Sequence, residues 1–200
     1  MPQMNGLELL KELQKRKISA RVMMASTDTR EGAKTTLDAL ELGALDFIHK
    51  PDNAMECRGG EFKEKLLQVL AVVVDSKPPV FGKTFVLEEV KTSKKMIELV
   101  GKHTSSVPGN KIVAIASSTG GPKALQSVIP RLPKNLKAPV VVVQHMPAGF
   151  TASLAERLDS LSEVHVKEAA EGDVLEPGTV YIAMGGKHLN VITMASKYSI

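Results

Sequence analysis

Two short stretches of this 200-residue chain combine residue types that can do chemistry. The first is Ile115-Ala116-Ser117-Ser118-Thr119-Gly120-Gly121-Pro122, an apolar run that enters a turn of small residues and leaves it with a proline suited to the first helical position. A serine on a strand-to-helix turn sits at the carboxyl edge of a parallel sheet, where open α/β folds bind their ligands. Its hydroxyl can serve as a nucleophile, and the free N–H groups of the following helix can face a developing oxyanion. Ala116-Ser117-Ser118-Thr119-Gly120 follows the Gly-x-Ser-x-Gly nucleophile elbow except that Ala116 replaces the first glycine. An anion-binding loop or a plain tight turn would use the same residues equally well. A Walker loop is excluded at this turn, which carries no Gly-Lys-Ser or Gly-Lys-Thr.

A serine nucleophile needs a base, and His145 is the candidate among five histidines because it ends the buried-strand run Val140-Val141-Val142-Val143-Gln144. With residues 122–130 as a right-handed crossover, the strands before Ser118 and before His145 run parallel, and both residues emerge on one edge of the sheet. Without Ser118, His145 would read as a structural turn residue. His165 alternates with Val164 and Val166 and should face solvent or a neighbouring layer. His188 follows Gly185-Gly186-Lys187 and either borders the same cleft or only decorates a turn, while His49 and His103 have no constellation around them. No histidine or carboxylate pair has convincing metal-ligand spacing.

The elements that must position these residues alternate between helix and strand. Leu9, Leu10 and Leu13 mark a helix after Asn5-Gly6, and residues 21–25 form a short apolar strand. Asp28 and Glu31 have capping-box spacing before a helix through Ala33, Leu37 and Leu40 that stops at Gly43. A strand over 44–48 and a helix through Phe62, Leu66, Leu70 and Val73, ending near Ser76, complete a first α/β segment, which starts mid-fold with only two strands. Residues 76–108 read as linker, with one short helix at 96–100. A second α/β segment follows: a strand over 112–116, a helix from Pro122, a strand over 140–143, a helix from Thr151, and strands near 164–166, 180–183 and 189–193. The turn signal Pro177-Gly178 leads us to expect part of this sheet to be antiparallel.

Composition narrows the function classes. With 43% hydrophobic and 24% charged residues, the chain is neither disordered nor fibrous. The net charge of +4 would suit a nucleic-acid binder, but residues 76–110 carry 6 basic against 3 acidic side chains, most of the excess. Aromatics are only 4% with no tryptophan, so base-stacking platforms are missing, and the charge belongs to a solvated linker. No run approaches the ~20 apolar residues of a membrane span, and the start lacks a signal-peptide pattern, which makes a cytoplasmic protein the expectation. A single cysteine, Cys57, excludes internal disulfides and thiolate metal sites.

Taken together, Ser118-Thr119-Gly120-Gly121-Pro122 with Ala124-Leu125, Gln144-His145-Met146-Pro147 with Phe150-Thr151 and Leu154-Ala155, and Glu168-Ala169 with Gly172-Asp173 resemble the catalytic domain of the chemotaxis protein-glutamate methylesterase. Residues 1–6, Met24-Ala25-Ser26, residues 39–47 and Lys50-Pro51 resemble the receiver domain that precedes it in that family. The resemblance implies a partial flavodoxin-like receiver over 1–75, a linker over 76–108 and a partial doubly wound methylesterase domain over 109–200. It implies hydrolysis of glutamate methyl esters on chemoreceptors, releasing methanol, with glutamine deamidation in many members. Carried over, Ser118 is the nucleophile, His145 the general base and Thr119 a supporting neighbour. Ser26 would be the hydroxyl that responds to phosphorylation and Lys50 the cation that contacts the acyl phosphate. A chemotaxis histidine kinase would phosphorylate the intact receiver, Mg2+ would be needed only for that step, and no cofactor for catalysis.

The sequence departs from that pattern. The family's phosphoacceptor aspartate would fall before Met1, and its third catalytic aspartate, in a Gly-Met-Gly-x-Asp-Gly segment, would fall beyond Ile200. The expectation is therefore an internal fragment lacking both, loosely ordered in its receiver part and poorly active, because an unoriented histidine loses its preferred tautomer, an effect of up to about 10⁴-fold. Ala116, Ser117 and Met184 replace the usual Gly, Ala and Pro. Asp159 and Asp173 remain as stand-in acids. The alternative function is a non-catalytic anion- or protein-binding module whose Gly120-Gly121 turn holds an anion and whose receiver part serves for docking.

Overall fold

The structure, a computed structural model, describes residues 4–26, 30–51, 53–57, 59–77, 111–194 and 197–200. The linker reading, its helix at 96–100, the Asp28 capping box and His103 lie wholly or largely outside them. In the first segment α1 (Gly6–Lys15) opens with a full capping box. The Asn5 side chain accepts from the Glu8 N–H at 2.9 Å and the Glu8 carboxylate accepts from the Asn5 N–H at 2.8 Å, satisfying two otherwise orphaned donors. Then come β1 (Met23–Ser26), α2 (Arg30–Glu41), β2 (Asp46–His49), α3 (Ala54–Cys57) and α4 (Gly60–Asp75). Strands β1 and β2 pair in parallel, with Ser26 opposite His49.

The second segment builds a four-stranded parallel sheet in the order β3-β4-β6-β5, from β3 (Val113–Ser117), β4 (Val140–Gln144), β5 (His165–Glu168) and β6 (Thr179–Ile182). Helices α5 (Gly121–Val128) and α6 (Phe150–Leu161) are its first crossovers. Strand alternation divides the sheet into two faces. Val140, Val142, Val180 and Ile182 join one apolar cluster with Leu125, Leu154 and Leu158, while Val141 and Tyr181 join a second with Ala169 and Leu175.

The antiparallel expectation at Pro177-Gly178 is corrected: β5 and β6 pair in parallel. The turn is present, with Gly178 at φ +80°. Residues 169–176 have already carried the chain back along the sheet, so the turn only redirects it into β6. Antiparallel pairing occurs instead between β7 (Ile192–Met194) and β8 (Lys197–Ser199).

The first apolar cluster does not stop at the second segment. Leu10, Ala33, Leu37, Leu40 and Ala44 belong to the same cluster as Leu125, Phe150 and Leu158: α2 buries its apolar face partly against α5 and α6, and α1 packs on α2. Phe47 of β2 stacks on Phe150 with ring centroids 5.0 Å apart and planes 10° from parallel. Arg157 of α6 donates to Asp38 at 2.8 Å and forks onto the Glu41 carboxylate, both on α2. The carboxyl edge of the parallel sheet is thereby brought against β2 and α4.

Candidate active site

Parallel pairing sets Ser117 opposite Gln144, so Ser118 and His145 leave the sheet side by side, one residue beyond the last pair. The His145 N–H donates back to the Ser117 carbonyl at 3.0 Å, and the Gly121 N–H donates to the Ser118 carbonyl at 2.8 Å, closing the turn into α5. Both Ser118 and His145 are exposed. The strand–turn–helix of a nucleophile elbow is present, but its strain is not on the serine. The left-handed residue is Gly120, at φ +74°, and the one non-glycine with positive φ among the described residues is Lys17. The turn therefore reverses two residues later than in a strained elbow.

One side chain not singled out from the sequence lies between the two. Gln144 is 5% exposed. Its Oε1 accepts from the Ser117 hydroxyl at 2.6 Å, and its Nε2 donates to the Ser118 carbonyl at 3.0 Å and the His145 carbonyl at 3.2 Å. Gly121 must be glycine for this to fit, since a Cβ there would stand 1.9 Å from the Gln144 Oε1. A polar residue ending a run of four valines was the visible signal, and it reads from sequence only as a strand end.

Ser118, Thr119 and His145 line one cavity of about 260 Å³, with Met146, Pro147 and Gly186 from the same segment. Its opposite wall comes from the first segment, through Asp46, Phe47, Ile48 and His49 of β2 and Lys65 and Val69 of α4. His49 therefore does have a constellation around it, contrary to the sequence reading, and its buried Nδ1 makes no hydrogen bond. Asp46 is the single carboxylate lining this cavity among the described residues. Burial pushes its carboxyl above the ordinary aspartate range, against the opposing pull of the Phe47 N–H, the Thr119 hydroxyl and the charge that a protonated His145 carries.

Behind the cavity, three chain segments at the same sheet edge are tied together. The buried Thr151 hydroxyl donates to the Glu168 carboxylate at 2.5 Å and accepts from the Gly185 N–H at 3.0 Å. Gly185 packs so closely that a Cβ would stand 2.4 Å from the Pro147 carbonyl oxygen, which fixes the loop after His145 from below.

The remaining candidates fall elsewhere. Asp159 accepts from the Val166 N–H at 2.7 Å and pairs with His165 Nδ1 at 3.0 Å, and Asp173 binds Lys167 at 2.7 Å and the Ala170 N–H at 2.9 Å. Both carboxylates are committed away from the Ser118 cavity, so neither stands in for a triad acid. His188 lines a different cavity with Met184 and Lys187. Ser26 and Lys50 come together at the carboxyl ends of β1 and β2, where the Lys50 N–H donates to the Ser26 carbonyl and the Ser26 hydroxyl donates to the Gly32 carbonyl at 3.0 Å. No group of three or more His, Cys, Asp or Glu side chains capable of holding a metal occurs among the described residues. No helix among those residues is long and apolar enough to cross a membrane.

Residues 1–58 match the response regulator receiver domain family and residues 113–199 the CheB methylesterase family. A protein of Halalkalibacterium halodurans named protein-glutamate methylesterase/protein-glutamine glutaminase is 44% identical over 201 residues, covering 100% of this chain and 55% of that protein. Proteins of the same name from Thermotoga maritima and Bacillus subtilis are 46% and 45% identical, each over 96% of this chain and 52% and 54% of their own length. The chain thus spans about half the length of the curated relatives it matches. The crystal structure of the Thermotoga maritima CheB methylesterase catalytic domain is 58% identical, covers 46% of this chain and 48% of that one, and superposes with a TM-score of 0.45.

Proposed function

The chain belongs to the CheB methylesterase family in its receiver-linked form, and from that premise we propose that the protein hydrolyses methyl esters of glutamyl side chains on chemoreceptors and deamidates receptor glutamines. The observation that carries the reading is the shared cavity of Ser118, Thr119 and His145 at the carboxyl edge of a parallel sheet. His145 takes the Ser118 proton as the hydroxyl oxygen attacks the ester carbonyl. The oxyanion that forms lies toward the amino terminus of α5, whose first N–H groups lack intrahelical acceptors. His145 then gives its proton to the departing methanol, and water attacks the acyl-serine by the same route in reverse. Thr119, beside Ser118 on the cavity wall, orients the bound ester.

On the same reading the receiver segment regulates this site, with Ser26 and Lys50 responding to phosphorylation by a chemotaxis histidine kinase, in the cytoplasm. Mg2+ would supply charge neutralisation in that phosphoryl transfer and has no part in ester hydrolysis. The non-catalytic module is not favoured, because relatives that cover 96–100% of the chain carry an enzyme's name. The test is Ser118→Ala. Made in a chain extended to the full length of its relatives, it should lower methanol release from methylated receptor membranes on the order of 10³-fold or more while circular dichroism and melting stay unchanged. Unchanged turnover in the variant would remove the serine from the mechanism.

A further inference from the structure

Resting on that reading of Ser118 and His145, we infer that Gln144 is a positioning residue: its single buried amide holds the main chain of nucleophile and base together. The last β3–β4 pair is Ser117 and Gln144, and beyond it one backbone bond, from the His145 N–H to the Ser117 carbonyl, reaches the base, while the ladder gives the Ser118 carbonyl no partner on β4. The amide extends the pairing outward by one step, giving one N–H to the Ser118 carbonyl and one to the His145 carbonyl. Its orientation is determined by its partners. Turned over, it would set an oxygen against both carbonyls and an NH2 against the hydroxyl that Ser117 donates. The amide is buried and lies directly against Gly121, where a Cβ would collide with it.

This predicts a local effect. Gln144→Glu keeps the shape and can still accept from Ser117, but its carboxylate cannot donate to either carbonyl. Hydrogen exchange at the Gly121 and His145 amides of the full chain should accelerate about tenfold or more, with the Val142 and Leu158 amides unchanged, since each lost bond accounts for roughly two- to tenfold. Gly121→Ala displaces the amide without altering Gln144 and should accelerate the same two sites. Ser117→Ala removes only the lock on Oε1. It should give a two- to fivefold change there, and it keeps the test open if the Gln144→Glu chain does not fold. Unchanged exchange at both sites, or acceleration spread equally to Val142 and Leu158, overturns the proposal. Acylation by p-nitrophenyl acetate separates the two readings. A wild-type chain that is never acylated at Ser118 sinks the nucleophile assignment and leaves exchange to judge Gln144. A wild-type chain that is acylated should lose rate at least tenfold on Gln144→Glu with KM unchanged, and an unchanged rate would count against positioning.

Discussion

The two faces of the four-stranded sheet are closed in different ways. The face carrying Val141 and Tyr181 is covered from within its own segment, by Ala169, Leu175, Leu189 and Tyr198. The face carrying Val142 and Ile182 is covered by α5 and α6, and those helices in turn receive α2, with α1 packed on it, from a part of the chain about a hundred residues earlier. A sheet-and-helix layer that could have presented an outer helical surface to water presents it to the receiver segment instead. Two strands do not make a stable sheet alone, so β1 and β2 depend on this shared cluster far more than β3 to β6 do. The same arrangement places Asp46 and His49 across the cavity from Ser118 and His145.

Phe150 tests that dependence most severely. It is 1% exposed and stacks on Phe47, so it belongs to both segments. Phe150→Ala should cost about 3–5 kcal/mol and lower the urea midpoint of probes in both segments together. Loss confined to residues 111–200 would mean that the receiver segment holds its own structure. The contrasting variant is Tyr181→Phe on the opposite face. The Tyr181 hydroxyl donates to the Val174 carbonyl at 2.9 Å and accepts from the Glu176 N–H at 3.0 Å. Its removal should cost about 1–2 kcal/mol and leave exchange in α2 untouched when exchange there is local.

These contrasts also mark what could be read in advance. Ser118 and His145 were legible as neighbours because a run of valines, a small-residue turn and the handedness of crossovers are local or nearly local facts. The wall opposite them was not. The alternation of β2 says that Asp46 and Ile48 share one face and Phe47 and His49 the other, yet nothing within it names a partner seventy residues away. Asp46 opens β2, and its one local partner, the adjacent Phe47 N–H, gives no sign of the Thr119 and His145 that it also faces. Gln144 was hidden for a related reason, since its three partners are fixed only once β3 and β4 are in register. The error at Pro177-Gly178 came from taking a correct turn as evidence of strand direction, which the length of the preceding connection decides.

Arg157 carries the polar part of the contact between α6 and α2, binding Asp38 and Glu41. Its side chain and those of its partners remain about a quarter to a third exposed, so solvent screening limits the gain. Arg157→Met keeps the aliphatic stem over the helix and should cost under about 1 kcal/mol. The expected signature is faster exchange in α2 with β4 and β6 unchanged, and a weaker wild-type advantage at high salt. An effect as large as that of Phe150→Ala would make charge, not the shared apolar cluster, the main link between the segments.

The smallest expected effect has an unusual sign. Burial is the largest influence on Asp46 and raises its carboxyl above the ordinary range, whereas in the unfolded chain it titrates within that range. Between the two values the folded state holds more protons than the unfolded one, so Asp46 makes stability fall as pH rises through that window, and above it the loss is complete. Asn keeps a carbonyl oxygen for the Phe47 N–H, which Asp46 accepts at 2.8 Å, and carries no charge. Asp46→Asn should therefore raise the melting temperature by about a degree at pH 7. It should make no difference near pH 3, where the wild-type carboxyl is protonated in both states. A variant that melts lower at pH 7 would show that a charged Asp46 is held by His145 and Thr119 more strongly than burial opposes it. The receiver segment would then be anchored at the cavity by charge as well as by Phe47.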